Sequence, residues 1–448
     1  MRKLWSRSGS EIIVVLLLAT LCALFFWRII TPSAIDRGYF PEGDFSDQFY
    51  VFGVFEARQL LTGHLPLWNP YTFGGHPFLA DIQSAIFYPP SLLTLFLSAP
   101  WRFPILALEL EAIGHFFLGG LFTYLLAKRL LKRRFPAVVA ALTFTYGGYL
   151  TSYPVQQLAI LEVAVWLPLV LLLLSIAWER WRERGEKRYV IWAGVVLGIS
   201  LLGGHPQSST YILYVSLLYW AFETYGTGSF RAKAGLFSLF LLMGFGLAAV
   251  QLVPGVEYTL LSTRAQGTYQ EMAHGFPVHD LLNVVLPGVL SHWSPLYVGI
   301  FPLMLAALGV YLIRDRRVIF WVALALLALL LSLGGNTFLY TPFYLLAPGF
   351  AIFRSQERVA YVFSFAMAIL AGYGASVLFP SMAELTRKRL RAFNWGLVLG
   401  AAASFGLVFS FLYGWLRAGL AVGSPFGPML NRAILLAVFL LLSAVTST

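Results

Sequence analysis

Two carboxylates near the N-terminus, Asp44 and Asp47, combine a reactive side chain with a useful spacing. They lie three positions apart just beyond the first long apolar run, so on a helix they would share one face at a membrane surface. A carboxylate partly removed from water there can act as general base toward a sugar hydroxyl. The alternative is that both are solvated loop charges, and the spacing leaves both interpretations open.

Arginines form a second set of candidate residues. The basic residues outside the predicted cytoplasmic loops are all arginines. A guanidinium group holds the oxygens of an anion through two parallel hydrogen bonds and keeps its charge, so these residues are candidates to bind an anionic group. Arg354 and Arg358 are four apart at the predicted mouth of a helix and would face one cavity. The alternative is that they extend to the membrane surface or pair with Glu357.

Other polar residues are predicted at helix junctions or inside apolar spans. His205 and Gln207 stand in GGHPQ, where two glycines and a proline break a helix. Broken backbone at membrane depth is tolerated where it lines a cavity, so both a substrate-contacting segment and a structural turn fit this pattern. His115 follows Glu111 by four residues within a span, and we expect a buried hydrogen-bonding histidine rather than a catalytic one.

The sequence leaves metal dependence open, and the candidate cofactor is a divalent cation, Mg²⁺ or Mn²⁺. Glu257 would hold it together with Asp44. Glu162 lies near the outer end of its span and would line the same cavity as His115. The histidines of the outer segments have no i,i+4 spacing, so no zinc site is predicted among them.

The elements that position these residues are membrane helices. The chain has 448 residues, of which 59% are hydrophobic and 11% charged, and its mean hydropathy is +0.75. Soluble domains contain about 25% charged residues, so the composition excludes a soluble protein or a disordered chain, and the single cysteine excludes a disulfide scaffold. At about 20 residues per crossing, we predict an all-α polytopic transmembrane bundle of about 12 spans. The predicted spans are 11–31, 104–127, 135–150, 158–177, 189–203, 210–223, 234–252, 297–313, 318–334, 359–379, 395–416 and 431–446.

The distribution of charge predicts the orientation of these spans. Most of the 31 lysines and arginines lie in alternate loops, such as RERGEKR at 182–188. Positive loops face the cytoplasm, so the N-terminus is predicted inside, and the basic excess is an orientation signal that excludes nucleic acid as a partner. The first apolar run is long and lacks a clear A-x-A cleavage site, so it is predicted to remain as an uncleaved helix. The whole chain, 1–448, is predicted to be one domain with long outer loops at 32–103, 253–296 and 334–358.

The first outer loop is the most informative of the three. After Gly43, its apolar spacing predicts a helix in the membrane interface that ends at Gly63. Prolines and glycines then predict rigid turns, and aromatic residues such as Trp68 and Tyr71 suit headgroup depth. A long loop of this kind is usually functional or disordered, and its aromatic content argues for function.

The motifs of this loop resemble those of the bacterial YfhO-like membrane proteins, which belong to the GT-C superfamily of polytopic glycosyltransferases. The resemblance rests on GDxxxQ at 43–48 and LPLWNPYxFGGxPFLAxxQSAxFYPPSLL at 65–93. It continues with GHFFLGGLFTYLLAKRL from 114, LLGGHPQSSTYILY from 201, GLAAVQLVPGVEYTLLSTR from 246, YVGIFPLMLAALG from 297 and PGFAIFRSQERVAYVFSFAMAILAGYG from 348. Together with the loop motifs, these five motifs in order imply a resemblance over essentially the whole chain. Such proteins often continue beyond the last span, so this chain is expected to be a short member or a fragment.

The resemblance implies a GT-C-type enzyme of the bacterial plasma membrane that takes a sugar from a polyprenyl-phosphate carrier. The acceptor would be an extracytoplasmic glycan, lipid or protein, and the membrane lipids would surround the site. By the motif match, Asp44 and Gln48 carry over as residues of the site, whereas Asp47 is an addition to GDxxxQ. Arg264, Arg354 and Arg358 all lie in matched motifs, and all three are expected to bind the donor phosphate.

Two other classes of protein remain open. A transporter or lipid-linked sugar flippase would show paired broken helices near mid-bilayer in two halves. Here the polar residues are predicted to gather at the outer surface, and no inverted repeat is visible. A non-catalytic membrane scaffold is the third class, and binding of a polyprenyl-phosphate sugar with turnover would separate the three.

Overall fold

The computed structural model contains helices, turns and irregular segments, and no β-strand, in the part of the chain that it describes. That part comprises residues 2–152, 157–263, 267–288, 294–378, 384–417 and 426–446. In chain order the α-helices are α1 (Arg2–Phe25), α2 (Trp27–Ile30), α3 (Val51–Leu61), α4 (Pro89–Ser98), α5 (Ile105–Leu131), α6 (Arg134–Tyr146), α7 (Leu158–Ala164), α8 (Leu167–Arg184), α9 (Arg188–Leu202), α10 (Pro206–Thr224), α11 (Phe230–Leu260), α12 (Tyr269–Met272), α13 (Ile300–Leu312), α14 (Arg316–Ser332), α15 (Tyr340–Leu346), α16 (Ala360–Val377), α17 (Glu384–Arg417) and α18 (Phe426–Thr446).

The predicted spans agree with these helices, and each of them overlaps one. Within the described residues, six helical segments are long and apolar enough to cross a membrane, and three shorter apolar helices accompany them. The long ones are Ile105–Leu131, Leu158–Arg184, Phe230–Leu260, Gln356–Val377, Leu390–Arg417 and Gly427–Ala444. The predicted all-α membrane fold is therefore confirmed. Several boundaries differ by a few residues or more. The difference that shortens a predicted outer loop is at α11, which continues through Pro254 to Leu260, so the loop predicted from 253 begins later.

Local signals explain where several helices begin and end. The Ser229 side chain accepts a hydrogen bond from Ala232 N–H at the start of α11, and Asp315 accepts one from Arg317 N–H at the start of α14. Such side chains satisfy backbone donors that have no partner inside the helix. Gly185 ends α8 with φ +68°, a left-handed conformation that glycine adopts without steric cost.

By contacts, the chain divides into two compact units. Unit 1 comprises Met1–Leu126, Tyr153–Met272 and Thr341–Arg354, and unit 2 comprises Ala127–Ser152, Ala273–Tyr340 and Ser355–Thr448.

In unit 1, α9 and α11 approach closely where both carry glycine. A Cβ on Gly194 would lie 2.6 Å from Met243 Cβ, and one on Gly244 would lie 2.6 Å from Leu197 Cδ2. Small residues allow helices to pack backbone to backbone, which is how membrane helices associate without a hydrophobic driving force between them.

In unit 2, α16 is the buried helix, and α6, α13 and α14 pack against it. A Cβ on Gly309 of α13 would lie 2.8 Å from the backbone nitrogen of Gly374 on α16. The small residues again set the distance between the helices.

The first outer loop belongs to unit 1 and folds on its own aromatic side chains. A π-helix, Phe45–Tyr50, runs directly into α3, which ends before Gly63 as predicted. The side chains of Phe52, Phe55, Phe78 and Ile86 form one buried cluster. The apolar face of α3 therefore packs against the rest of the loop, while Tyr71 and Phe73, 83% and 91% exposed, are free to enter a headgroup layer.

Candidate functional site

Asp44 occupies the point where the loop turns into its first helix. Gly43 has φ +109°, which favours glycine, and Asp44 then occupies the position directly before the π-helix Phe45–Tyr50 without a capping hydrogen bond from its side chain. The Asp44 side chain is half-buried, and its Oδ2 accepts a hydrogen bond of 2.7 Å from Nε2 of Gln157. Asp44 is therefore held in one orientation by an uncharged donor from a segment 113 residues away.

Gln48 continues a row of polar side chains that begins with Asp44 and Gln157, which we call the polar row. It lies four residues after Asp44, and its Nε2 donates to Oε1 of Gln83 at 3.0 Å. Gln83 is held in turn, because its N–H donates to Oδ1 of Asp81 at 3.0 Å. The amide of Gln251 on α11 anchors this turn through the carbonyls of Leu79 (2.6 Å) and Asp81 (3.2 Å). Two side chains that the sequence did not single out, Gln83 and Gln157, thus complete the row.

Asp47 has a different environment from Asp44. Its side chain is exposed, and its Oδ1 accepts a hydrogen bond of 2.7 Å from the neighbouring Ser46 hydroxyl. The Asp47 carboxylate is therefore surrounded by solvent, whereas that of Asp44 is partly shielded from it. The three-residue spacing alone did not separate the two aspartates, and their surroundings do.

His205 and Gln207 lie in a tight turn before α10. His205 is buried and caps that helix, because its Nδ1 accepts from Ser208 N–H at 3.2 Å. Gly204 packs against the turn at Ile82, where an added Cβ would lie 3.1 Å from the Ile82 carbonyl oxygen. Gln207 is buried, and its Nε2 donates to Tyr211 Oη and to the carbonyl of Arg354, both at 2.9 Å. Both side chains are engaged in the turn, and their contact with substrate stays a prediction.

The predicted phosphate-binding arginines, Arg354 and Arg358, differ in exposure and in local structure. The Arg354 side chain is exposed in unit 1, whereas Arg358 is half-buried in unit 2. Ser355, with φ +64°, precedes a 3₁₀-helix at Gln356–Val359, so Arg354 is not part of the helix that carries Arg358. The i,i+4 relation expected for the pair therefore does not hold. Arg264 lies outside the described residues.

Glu257 was expected to share a metal ion with Asp44. Its side chain is exposed near the end of α11. Among the residues that the structure describes, the group with metal-ligand spacing consists of Glu111, His115 and Glu162, and it includes neither Glu257 nor Asp44.

The first outer loop contains an acidic residue with a raised pKa that the sequence did not single out. Burial raises the pKa of Glu56 on α3 to about 8, and the carboxylate of Glu111 adds to the increase. Glu56 appears as an ordinary polar position in a helix, so only its burial and its neighbour reveal it.

Comparison with known proteins gives a distant structural likeness. No model of a protein family matches the sequence, and no curated protein is similar to it. Among solved structures, the chain is similar to ArnT from Cupriavidus metallidurans bound to undecaprenyl phosphate. The identity is 12% and the TM-score 0.44, over 98% of this chain and 78% of that chain. The relationship to YfhO-like proteins accordingly stays a prediction from the quoted motifs.

Proposed function

We propose that the protein is a membrane glycosyltransferase that moves a sugar from a polyprenyl-phosphate carrier to an acceptor outside the cytoplasm. The observation that carries the proposal is the half-buried Asp44, fixed by the Gln157 amide in a polar row beyond the first apolar helix. Partial burial and a fixed orientation are what a general base for a hydroxyl group needs. The resemblance of the loop motifs to YfhO-like sequences supports the same assignment.

In this proposal Asp44 is the catalytic base. The acceptor hydroxyl oxygen attacks the anomeric carbon, its proton passes to the Asp44 carboxylate, and the bond from the anomeric carbon to the phosphate oxygen breaks. The electron pair leaves with the polyprenyl phosphate, and the anomeric configuration is inverted. Gln157 is a positioning residue, because it binds one carboxylate oxygen and leaves the other for the proton.

The remaining polar groups of the row suit recognition of sugar hydroxyls. Gln48 and Gln83 each present an amide that both donates and accepts hydrogen bonds, and both side chains are half-buried. We assign the leaving phosphate to arginine, with Arg354 as the exposed candidate in the same unit. The acceptor would be a glycan, a lipid or a protein.

The test compares Asp44→Asn with the matched control Asp47→Asn. Both are isosteric replacements on the same helical segment, and the amide at position 44 can no longer accept the proton. The full chain in liposomes is offered a panel of polyprenyl-phosphate monosaccharides, together with a membrane extract as acceptor. Release of polyprenyl phosphate, followed by mass spectrometry, reports turnover for any sugar. Asp44→Asn should lose about 10²–10⁴-fold in rate, while Asp47→Asn should stay near wild type.

Three outcomes would contradict this assignment. Full activity of Asp44→Asn would remove Asp44 as the base, and loss confined to Asp47→Asn would exchange the roles of the two aspartates. Movement of the intact donor across the liposome membrane without release of polyprenyl phosphate would identify a flippase instead. A fluorescence size-exclusion profile at matched expression confirms that each variant is folded.

A further inference from the structure

Four ionisable side chains are buried together in unit 1, apart from the row at Asp44. Glu56 lies on α3, Glu111 and His115 lie on α5, and Glu162 lies on α7. Each is at least nine-tenths removed from solvent, and in the described part of the chain no lysine or arginine forms an ion pair with any of them. Burial of several carboxylates is unfavourable unless a proton or a cation compensates their charge.

The geometry of this cluster is that of a metal site. One ligand atom from each of Glu111, His115 and Glu162 lies within 4.8 Å of the others. Bonds of about 2.1 Å place two tetrahedral ligands of one ion about 3.4 Å apart. A pair of atoms at the 4.8 Å limit would therefore approach by about 1.4 Å to share an ion. Glu111 and His115 are four apart on α5 and therefore share a face.

Two carboxylate oxygen atoms of the cluster are buried and accept no hydrogen bond from a donor group. Ser91 donates to Oε1 of Glu111 at 2.5 Å, whereas Oε2 of Glu111 is buried and accepts from no donor group. The carboxyl groups of Glu111 and Glu162 lie within hydrogen-bonding distance of each other, and two carboxyl groups can bond in this way only by sharing a proton. Oε1 of Glu56, within electrostatic reach of Glu111, is also buried without a partner. Buried acceptors are normally satisfied, so an unsatisfied pair next to an imidazole calls for a ligand.

The histidine is held in the tautomer that binds metals. His115 Nδ1 lies 2.8 Å from the carbonyl oxygen of Glu111, which requires a proton on Nδ1 and leaves the Nε2 lone pair available. Nε2 lies 2.7 Å from the Tyr88 hydroxyl. That hydroxyl has a second acceptor, the Glu162 carbonyl at 3.1 Å, and accepts from Trp166 Nε1 at 2.9 Å, so it can release Nε2.

We propose that Glu111, His115 and Glu162 bind a divalent transition-metal ion, such as Zn²⁺ or Mn²⁺, with Glu56 as a neighbouring carboxylate. An imidazole nitrogen among carboxylates favours these ions over Mg²⁺, which prefers oxygen ligands and retains its water. Binding displaces the carboxyl protons to solvent and exchanges them for the cation. The ion would tie α5 to α7 beside α3, which carries the first loop.

The experiment measures metal binding by the full chain in detergent, without donor or acceptor, so its result is independent of the proposed glycosyl transfer. Metal is first removed by chelation, and the protein is then reloaded with Zn²⁺ and dialysed. Its Zn²⁺ content is determined by inductively coupled plasma mass spectrometry, and its affinity by competition with a chromophoric chelator. Wild type should retain about one Zn²⁺ per chain. Glu111→Gln and Glu162→Gln should each weaken binding by more than about 10-fold.

The matched control is Glu109→Gln, which alters a buried carboxylate on the same helix whose partner is Arg37 at 3.5 Å. It should bind Zn²⁺ as wild type does, and so should Glu257→Gln. The proposal would be overturned if Glu111→Gln and Glu162→Gln bound Zn²⁺ as wild type does, or if both controls lost binding. It would also be overturned if wild type bound neither Zn²⁺ nor Mn²⁺, and shared protons would then hold the cluster together. If a cluster variant fails to fold, X-ray absorption of Zn²⁺-loaded wild type decides: one imidazole among oxygen ligands supports the site, and any other shell refutes it.

Discussion

Replacement of Gln157 by leucine tests whether Asp44 depends on its distant partner. The bond from Gln157 Nε2 to Asp44 Oδ2 is 2.7 Å long, and its acceptor is a carboxylate. Hydrogen bonds to charged groups contribute about 1.5–3 kcal/mol. Both side chains are half-buried rather than buried, so the lower half of that range applies. A loss of about 1.5–2 kcal/mol corresponds to a fall in kcat of roughly 10–30-fold, smaller than the loss expected for Asp44→Asn.

The assay is the release of polyprenyl phosphate, with kcat and KM measured separately. Because Gln157 orients the base and is not assigned a contact with the donor, kcat should fall while KM for the donor stays unchanged. Gln157→Glu should be more damaging than Gln157→Leu, since it places a second carboxylate beside Asp44. The matched control is Gln59→Leu, the same change on α3 at a side chain without an assigned role in the site.

Two results would refute this reasoning. If Gln157→Leu has the kcat of Gln59→Leu, the hydrogen bond does not position the base. If the loss appears in KM alone, Gln157 contacts substrate and its bond to Asp44 is incidental.

Three further predictions concern stability and topology. The pKa of Glu56 is 4.5 in its unperturbed state and about 8 in the fold. Its contribution to stability is therefore fully present below pH ~4.5 and falls as the pH rises to ~8, by up to about 5 kcal/mol. In chelator-treated protein, Glu56→Gln should make the decline of the thermal unfolding midpoint over this range shallower, and the remainder comes from other carboxyl groups whose pKa burial raises, such as Asp280. Gly374→Ala should destabilise unit 2 by at least about 1–3 kcal/mol, because the added Cβ would overlap the backbone carbonyl of Leu305; an unchanged unfolding midpoint would contradict the packing. A cysteine introduced at position 186, after replacement of Cys22, should react with an impermeant reagent only in permeabilised cells, and labelling of intact cells would reverse the topology.

Much of the fold follows from the sequence because its signals are local. Each apolar run predicts a helix through residues that are neighbours in the chain, and each predicted span overlaps an observed helix. The helix after Gly43 and its end before Gly63 are local in the same way. Even a local prediction fails where one residue leaves the helical conformation, as Ser355 does between the two arginines expected on one face.

The sites depend on pairs that are distant in sequence. The sequence determined that Asp44 follows a glycine turn and that Glu111 and His115 share a helix face. Only the tertiary structure placed Gln157 on Asp44 and Glu162 beside Glu111. No spacing rule connects residues so far apart, because their distance is set by how whole helices pack. Burial follows for the same reason: the motif distinguishes Asp44 from Asp47 in the sequence, but only packing shields Asp44 partly from water.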